Sequence, residues 1–438
     1  MHFNTLKSVR QQMYDSFERS AGALFNLCDA RLRESQAQSL AELSLSPCFA
    51  RQWPSVYEAL QDGQINEEAL RAVWADALLS PGEGVIWLGI DSSSIERPEA
   101  ECSADRGMIY VPNLPHAAKP VSVGWQYSTL MLLPEQPGSG VGILDQRRIP
   151  TDSTAIAVGI AQLQAVMPSV KRRAILLADR WYATAIFARA CREVGVSGLL
   201  RLKRNRRLYR AAPARLPGQR GAPRKHGDLW QGSRPETLGE ADAVWEGSDE
   251  HGKPVLVSCW EHLHFRDAPE VEVSVIRVQR EGARGNKRDP RESWFVWVGD
   301  EAISLEEIAP LYQRRYSQEH GYRFLKQDLL WTRAHLRTPA QFDRWSWLVA
   351  CACNQLLLLK QQGLALRRPW ESKLRPLTPR QVRRVTPGIL AQLGTPAPAP
   401  KPRGKAPGWP KDKPRAKATR FAVVRKPQPE PKTRRKPA

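Results

Sequence analysis

Residues 172–205 read RRAILLADRWYATAIFARACREVGVSGLLRLKRN, and this stretch decides the fold class. RRAILLAD (172–179) is a short apolar run that stops at Asp179, the pattern of a buried strand. TAIFARACREVG (184–195) reads as a helix and SGLLRLKRN (197–205) as another strand. Short strands followed by helices predict an α/β sheet. Upstream, VIWLGID (85–91) is a second buried strand, ending at Asp91. Such sheets place their sites just past strand ends, so Asp91 and Asp179 are candidates to share one. Each also has a plainer reading as a turn residue after a strand.

Working outward, residues 1–80 read as helical, with LFNLCDARLRE, SLAELS and EEALRAVWADALL at helical spacing and breaks near Pro47, Pro54 and Gly63. This N-terminal region is expected to be either a DNA-binding module or a plain packing module. Residues 84–205 form the first part of the α/β domain. They add strands in GMIYVPN (107–113) and VSVGWQYSTLMLLP (121–134), and a helix in STAIAVGIAQLQAVM (153–167) with Asp152 or Ser153 as its N-cap. Asp145 and Asp152 compete with Asp179 as site carboxylates, but both look like turn or cap residues. Residues 206–300 break the pattern: KPVLVSCWEHLHF, VEVSVIRVQR and ESWFVWVG are strands, and the segment reads as a β-rich insertion. Helices resume over 301–395 and complete the α/β domain.

The net charge is +21 and the pI about 10.0, an excess that points to a polyanionic partner, most often nucleic acid. Residues 396–438 hold 14 Lys and Arg against 2 Asp and Glu, with 11 Pro, so more than half of the excess lies there. That composition precludes a packed core and predicts a disordered basic tail giving salt-sensitive, sequence-independent DNA binding. The seven cysteines include no CxxC pair and read as buried apolar residues of a reducing cytoplasm. No signal peptide and no membrane span are expected.

The third element of a site lies in YQRRYSQEHGYRFLKQDLL (312–330), which reads as helix. Tyr312, Arg315, Glu319 and Lys326 fall within an arc of about 60° on one helical face. A phenol, a guanidinium, a carboxylate and an ammonium on one face suit a phosphate and a metal ion better than a core. Phosphodiester cleavage by two divalent ions needs carboxylate oxygens, and with Mg²⁺ three acids suffice. In this reading Asp91 bridges two ions, Asp179 holds one and Glu319 the other. Arg315 and Lys326 bind flanking phosphates, while Tyr312 stacks on a base or donates to a phosphate. The plainer reading of Glu319 is a surface pair with Arg315.

The spacing Tyr-x2-Arg-x3-Glu-x6-Lys, met without a gap at Tyr312, Arg315, Glu319 and Lys326, resembles that of the DDE transposases of bacterial insertion sequences. LLADRWYAT and LGIDSSSIERPEA are similar to that family's second and first motifs, and the likeness covers residues 84–360. It implies an RNase H-like catalytic domain interrupted by a β-rich insertion, with Asp91, Asp179 and Glu319 as catalytic metal ligands. It further implies metal-dependent nicking at transposon ends and attack of the freed 3′-hydroxyl on target DNA. Two Mg²⁺, replaceable by Mn²⁺, a homodimer on DNA, and a bacterial cytoplasmic, nucleoid-associated location also follow.

RLKRNRRLYR (201–210) adds a basic run, so Lys203, Arg204, Arg206 and Arg207 join Arg180 as candidate DNA contacts. Trp181 and Tyr182 either help bind DNA or pack. Trp294 and Trp297 should face opposite sides of a strand and are read mainly as core, with an extruded base as the functional alternative. His262 and His264 should share one strand face, a metal pair lacking a third ligand. The rivals to a transposase are a nuclease of the same fold without joining activity, an inactive transposase-derived DNA-binding protein, and a basic RNA-binding protein.

Overall fold

The computed structural model describes the chain except residues 1–2, 80–82, 112–119, 137, 139, 216–220, 250–251, 286–289, 302, 361–366, 402–407, 409, 411, 415–416 and 426–438. The end of the strand expected over 107–113, the centre of the GARGNKRDPR loop and the last part of the basic tail therefore lie outside the described residues.

The chain begins with helices α1 (Phe3–Asp15), α2 (Ala21–Arg33), α3 (Leu40–Leu43), α4 (Pro54–Asp62) and α5 (Glu67–Leu78). Short strands β1 (Phe17–Arg19) and β2 (Gln64–Ile65) pair antiparallel among them. Then come β3 (Ile86–Glu96), β4 (Gly107–Tyr110), β5 (Val121–Leu132), β6 (Gly142–Ile149), α6 (Ala155–Val166), β7 (Ala174–Ala178), α7 (Ala185–Glu193) and β8 (Ser197–Arg201). The β-rich stretch supplies β9 (Leu208–Arg210), β10 (Leu229–Trp230), β11 (Ala243–Ser248), β12 (Pro254–Phe265), β13 (Ala268–Arg280) and β14 (Glu292–Val298). Four helices close the chain: α8 (Ile308–Gln313), α9 (Tyr316–Gln327), α10 (Pro339–Leu358) and α11 (Pro379–Leu393).

The architecture is mixed α/β. Twelve strands form one sheet in the order β10-β9-β12-β13-β14-β8-β7-β3-β5-β4, with β6 also on β5 and β11 also on β12. β3 runs parallel to β7 and β7 to β8, while β3–β5 and β5–β6 are antiparallel. Alternation along β7 shows why the sheet is buried on both faces. Leu176 joins the apolar cluster of Leu163 (α6) and Phe187 (α7), whereas Ile175 and Leu177 join the cluster of Trp345 and Leu348 (α10). Thr154 caps α6 by accepting from the Ala157 N–H (3.1 Å), so neither Asp152 nor Ser153 is its N-cap.

Three features go beyond the sequence reading. The β-rich stretch continues the α/β sheet: β14 pairs antiparallel with β8, Val298 opposite Gly198. The N-terminal helices share their core with the C-terminal ones. Buried Arg10 donates to Asp29 (2.8 and 2.7 Å) and also to the Gly394 carbonyl at the end of α11 (3.2 Å). Finally, part of the tail is docked. The Phe421 N–H donates to the Glu101 carbonyl (2.8 Å) and the Val424 N–H to the Arg106 carbonyl (2.7 Å), along the free edge of β4. No helix among the described residues is long and apolar enough to cross a membrane.

Candidate active site

The parallel register of β3 and β7 builds the centre. Ile90 pairs with Ala178, so the next residues, Asp91 and Asp179, leave the paired region side by side. Asp179 follows the end of β7, as expected, but Asp91 does not end its strand. β3 continues to Glu96, paired only with β5, with Asp91 opposite Thr129. The serines of DSSSIE conceal this continuation. Ser93 and Ile95 are buried, whereas Ser92, Ser94 and Glu96 alternate with them toward the solvent side.

The segment expected as one helix is two. Between α8 and α9 the Arg314 and Arg315 N–H groups bond to the carbonyls of Leu311 (3.2 Å) and Tyr312 (3.1 Å), an i→i−3 turn. The tighter turn sets Tyr312 against the end of β7, where it stays electrostatically coupled to Arg315. Its ring packs on Phe295 (4.6 Å between centroids), and its hydroxyl donates to the Ala178 carbonyl (3.3 Å), just before Asp179. Tyr312 thus braces the second strand instead of presenting a stacking face. Tyr322, which the motif does not include, does the same for the first strand, donating to the Asp91 carbonyl (2.7 Å).

Two glycines let α9 close on the sheet. A Cβ at Gly321 would lie 2.5 Å from Val141 Cγ2, and one at Gly89 would lie 3.0 Å from Gln318 Oε1 and 3.1 Å from Leu133. With that approach Arg315 reaches across, donating from Nη2 to Asp91 Oδ2 (2.9 Å) and from Nη1 to Glu319 Oε1 (3.1 Å). The three carboxylates and Arg315 thus form one electrostatic group. Burial raises the pKa of Asp91, which Arg315 and the Ser92 N–H oppose, and Asp179 and Glu319 push it further up. Burial disfavours the charge on Arg315, but Tyr312 and the three carboxylates more than offset it, so its pKa is raised. Burial lowers the pKa of Lys326, against the pull of Asp91 and Glu96.

Asp91, Asp179, Arg180, Trp181 and Lys326 line a cleft of about 1280 Å³. Lys203 lies beside it, its Nζ 3.8 Å from the Trp181 ring centre. Trp181 is 60% exposed while its neighbour Tyr182 is buried, which separates two aromatics that the sequence left equivalent. Arg207 is exposed, Arg206 is half-buried, and Arg204 donates to the Gly232 carbonyl (3.0 Å).

Other sequence candidates lie elsewhere. Asp145 is buried within β6 and paired with Arg147 (2.7 Å) and Arg71 (3.4 Å), so it is neither a turn residue nor part of this site. A register shift in β12 with φ +54° at His262 breaks the expected alternation. His262 is exposed on Glu272 (2.8 Å), and His264 is buried against His226 (2.9 Å). Trp294 and Trp297 are both buried, Trp294 among Trp230 and Trp260.

Among the described residues no three His, Cys, Asp or Glu side chains stand as a ready metal cage. Asp91 and Glu319 instead converge on a cation, the Arg315 guanidinium. An all-oxygen donor set that already gathers around positive charge fits a hard divalent ion. A search of curated proteins finds no match to the chain. A family model described as DDE superfamily endonuclease matches residues 12–258, more than half of the chain, including Asp91 and Asp179 but ending before Glu319. The chain belongs to the DDE superfamily endonucleases.

Proposed function

We propose that this endonuclease-family chain is a DNA transposase with an RNase H-like catalytic domain. In this reading it cleaves DNA at the ends of its element and joins the freed 3′-hydroxyl to target DNA. The strand order β6-β5-β3-β7-β8, with the last three parallel, supports the fold assignment. The observation that carries the function is the register Ile90–Ala178. It sets Asp91 and Asp179 together at a cleft, and Arg315 ties Glu319 to them.

Asp91, Asp179 and Glu319 would hold two Mg²⁺ ions, with Mn²⁺ as a substitute. When bound, the ions supply an activated nucleophile and neutralise charge on the leaving oxygen. The protein's own groups do the positioning. Tyr312 and Tyr322 hold the backbone carbonyls of Ala178 and Asp91 and so brace the two strands beside the aspartates. Lys326, on the cleft wall, offers a point charge to a phosphate. Arg180 and Lys203 offer further charge at its mouth, and the Arg315 fork would be available to a phosphate. The net charge of +21 supports DNA as partner. Two DNA ends must be brought together, so a homodimer acting on nucleoid DNA completes the proposal.

The test is a cleavage and joining assay with purified protein, Mg²⁺ or Mn²⁺, and DNA carrying the native flanks of the gene, with Glu319→Gln as control. Metal-dependent nicks at defined ends plus joined products, both lost in the control, are expected. Nicking without joining would make the chain a nuclease only, and DNA binding without either activity would make it a non-catalytic binder.

A further inference from the structure

Three phenols gather around the strands that carry Asp91 and Asp179, and they are not alike. Tyr312 donates to the Ala178 carbonyl (3.3 Å) and Tyr322 to the Asp91 carbonyl (2.7 Å). Tyr182 also belongs to the cleft wall, yet it is 2% exposed, and its hydroxyl is buried from water with no hydrogen-bond partner among the described residues. Nearby Ser128 directs its own hydroxyl hydrogen to Gln162 Oε1 (2.6 Å). A buried hydroxyl left unbonded is costly, and such a group in a well-packed place calls for a reason.

The ring that carries it is held in place. The Tyr182 N–H donates to the Asp179 carbonyl (3.0 Å), which ties the residue to the second aspartate through one tight turn. The ring packs on Phe187 (5.0 Å between centroids), and α6 comes so close that a Cβ at Gly159 would lie 3.2 Å from Tyr182 Cε1. Burial pushes the pKa of the phenol up, and Asp91 and Asp179 push it further, against Ser128 and Arg315. Tyr182 is therefore a neutral, protonated donor beside two carboxylates. Because water does not reach the hydroxyl, the acceptor it is kept for is a protein group, and the charged acceptors that act on it are these two aspartates.

Their present partners leave that donor unused. Asp91 accepts from the Ser92 N–H at Oδ1 (2.8 Å) and from Arg315 at Oδ2 (2.9 Å), and Asp179 accepts from the Arg180 N–H at Oδ1 (2.7 Å). A phenol suits a metal-holding carboxylate better than a guanidinium does. It orders the oxygen without competing with the ion for its charge, and carboxylates that hold ions are themselves hydrogen-bonded.

We propose that Tyr182 is a positioning residue of the metal centre, its O–H donating to the Asp91 and Asp179 carboxylates when they hold divalent ions. This rests on the reading of the cleft as a metal-dependent cleavage site.

The test uses full-length Tyr182→Phe, which keeps the ring and removes the hydroxyl. Without metal its denaturant midpoint should match or exceed that of the wild type, because no bond is lost. Tyr322→Phe does lose a bond in the metal-free protein, so it should unfold at lower denaturant and show that the assay reads a phenol's hydrogen bond. With Mn²⁺ added and no DNA, Tyr182→Phe should bind about tenfold more weakly than the wild type in an electron paramagnetic resonance titration. A hydroxyl that merely packs would not move this second readout while sparing the first. Two results would overturn the proposal. One is a metal-free Tyr182→Phe as destabilised as Tyr322→Phe, which would mean that the hydroxyl already has its partner. The other is Mn²⁺ binding equal to that of the wild type. If the wild type itself shows no Mn²⁺ binding that Asp91→Asn abolishes, the metal reading of the cleft fails and the role of Tyr182 falls with it. A failure confined to Tyr182→Phe leaves that reading standing.

Discussion

Arg315 bonds to two of the three carboxylates proposed to hold metal, so replacing it separates two roles. Arg315→Gln removes a unit of positive charge now 2.9 Å from Asp91 Oδ2 and 3.1 Å from Glu319 Oε1. A unit charge about 5 Å from a doubly charged ion is worth roughly 2 kcal/mol at the dielectric of water and roughly 7 at values typical of protein sites. Arg315 is 14% exposed and Glu319 54%, so the water-screened figure is the floor, about 2 kcal/mol or roughly 30-fold in affinity. DNA-free Arg315→Gln should therefore bind Mn²⁺ at least about 30-fold more tightly than the wild type, read by electron paramagnetic resonance titration, with Asp91→Asn as the control that loses the site. Cleavage should fall in the same variant, because the proposed phosphate contact would be lost. Unchanged or weaker Mn²⁺ binding would refute the reasoning. It would mean that the guanidinium organises the carboxylates and does not compete with the ion.

Three further outcomes are expected. Asp91→Asn, Asp179→Asn and Glu319→Gln should each abolish nicking while DNA affinity, measured by anisotropy, stays within about threefold; a variant that still nicks normally loses its assigned role. Gly321→Ala places a methyl 2.5 Å from Val141 Cγ2, and should cost about 1–3 kcal/mol in a denaturant titration and slow cleavage by displacing α9; a silent substitution would show that the helix has room. Burial pushes the thiols of Cys191, Cys259, Cys351 and Cys353 up to about 12. A thiol reagent at pH 8 should therefore modify exposed Cys102 first and these four only after unfolding, and rapid modification of all seven cysteines would contradict the buried cores.

What the sequence revealed and concealed follows from how local each signal is. The apolar run before Asp179 and the four-residue spacing from Tyr312 to Lys326 are local patterns, and they name residues that the fold brings together at the candidate site. The serines after Asp91 are poor strand formers in isolation. They lie in a strand because β5 pairs with them along their whole length, from Asp91–Thr129 to Glu96–Gly124. The short strand β6 escaped notice for a related reason. Its DQRR segment looks like a turn until Arg71, from a helix far away in sequence, and Arg147 neutralise Asp145. Tyr312 shows the converse. Its place in the motif is plain, but the i→i−3 turn after it and the bond of its phenol to the Ala178 carbonyl are not. The joining of β14 to β8 and the docking of Phe421 and Val424 are carried by backbone hydrogen bonds between distant segments, which leave almost no trace in side-chain composition. The same reasoning explains how the site holds together. Its acids are named by local motifs, but their convergence depends on three non-local facts: the parallel register of β3 with β7, the close seat of α9 at Gly89 and Gly321, and the two tyrosines that tie the Ala178 and Asp91 carbonyls to helices arriving more than 130 residues later in the chain.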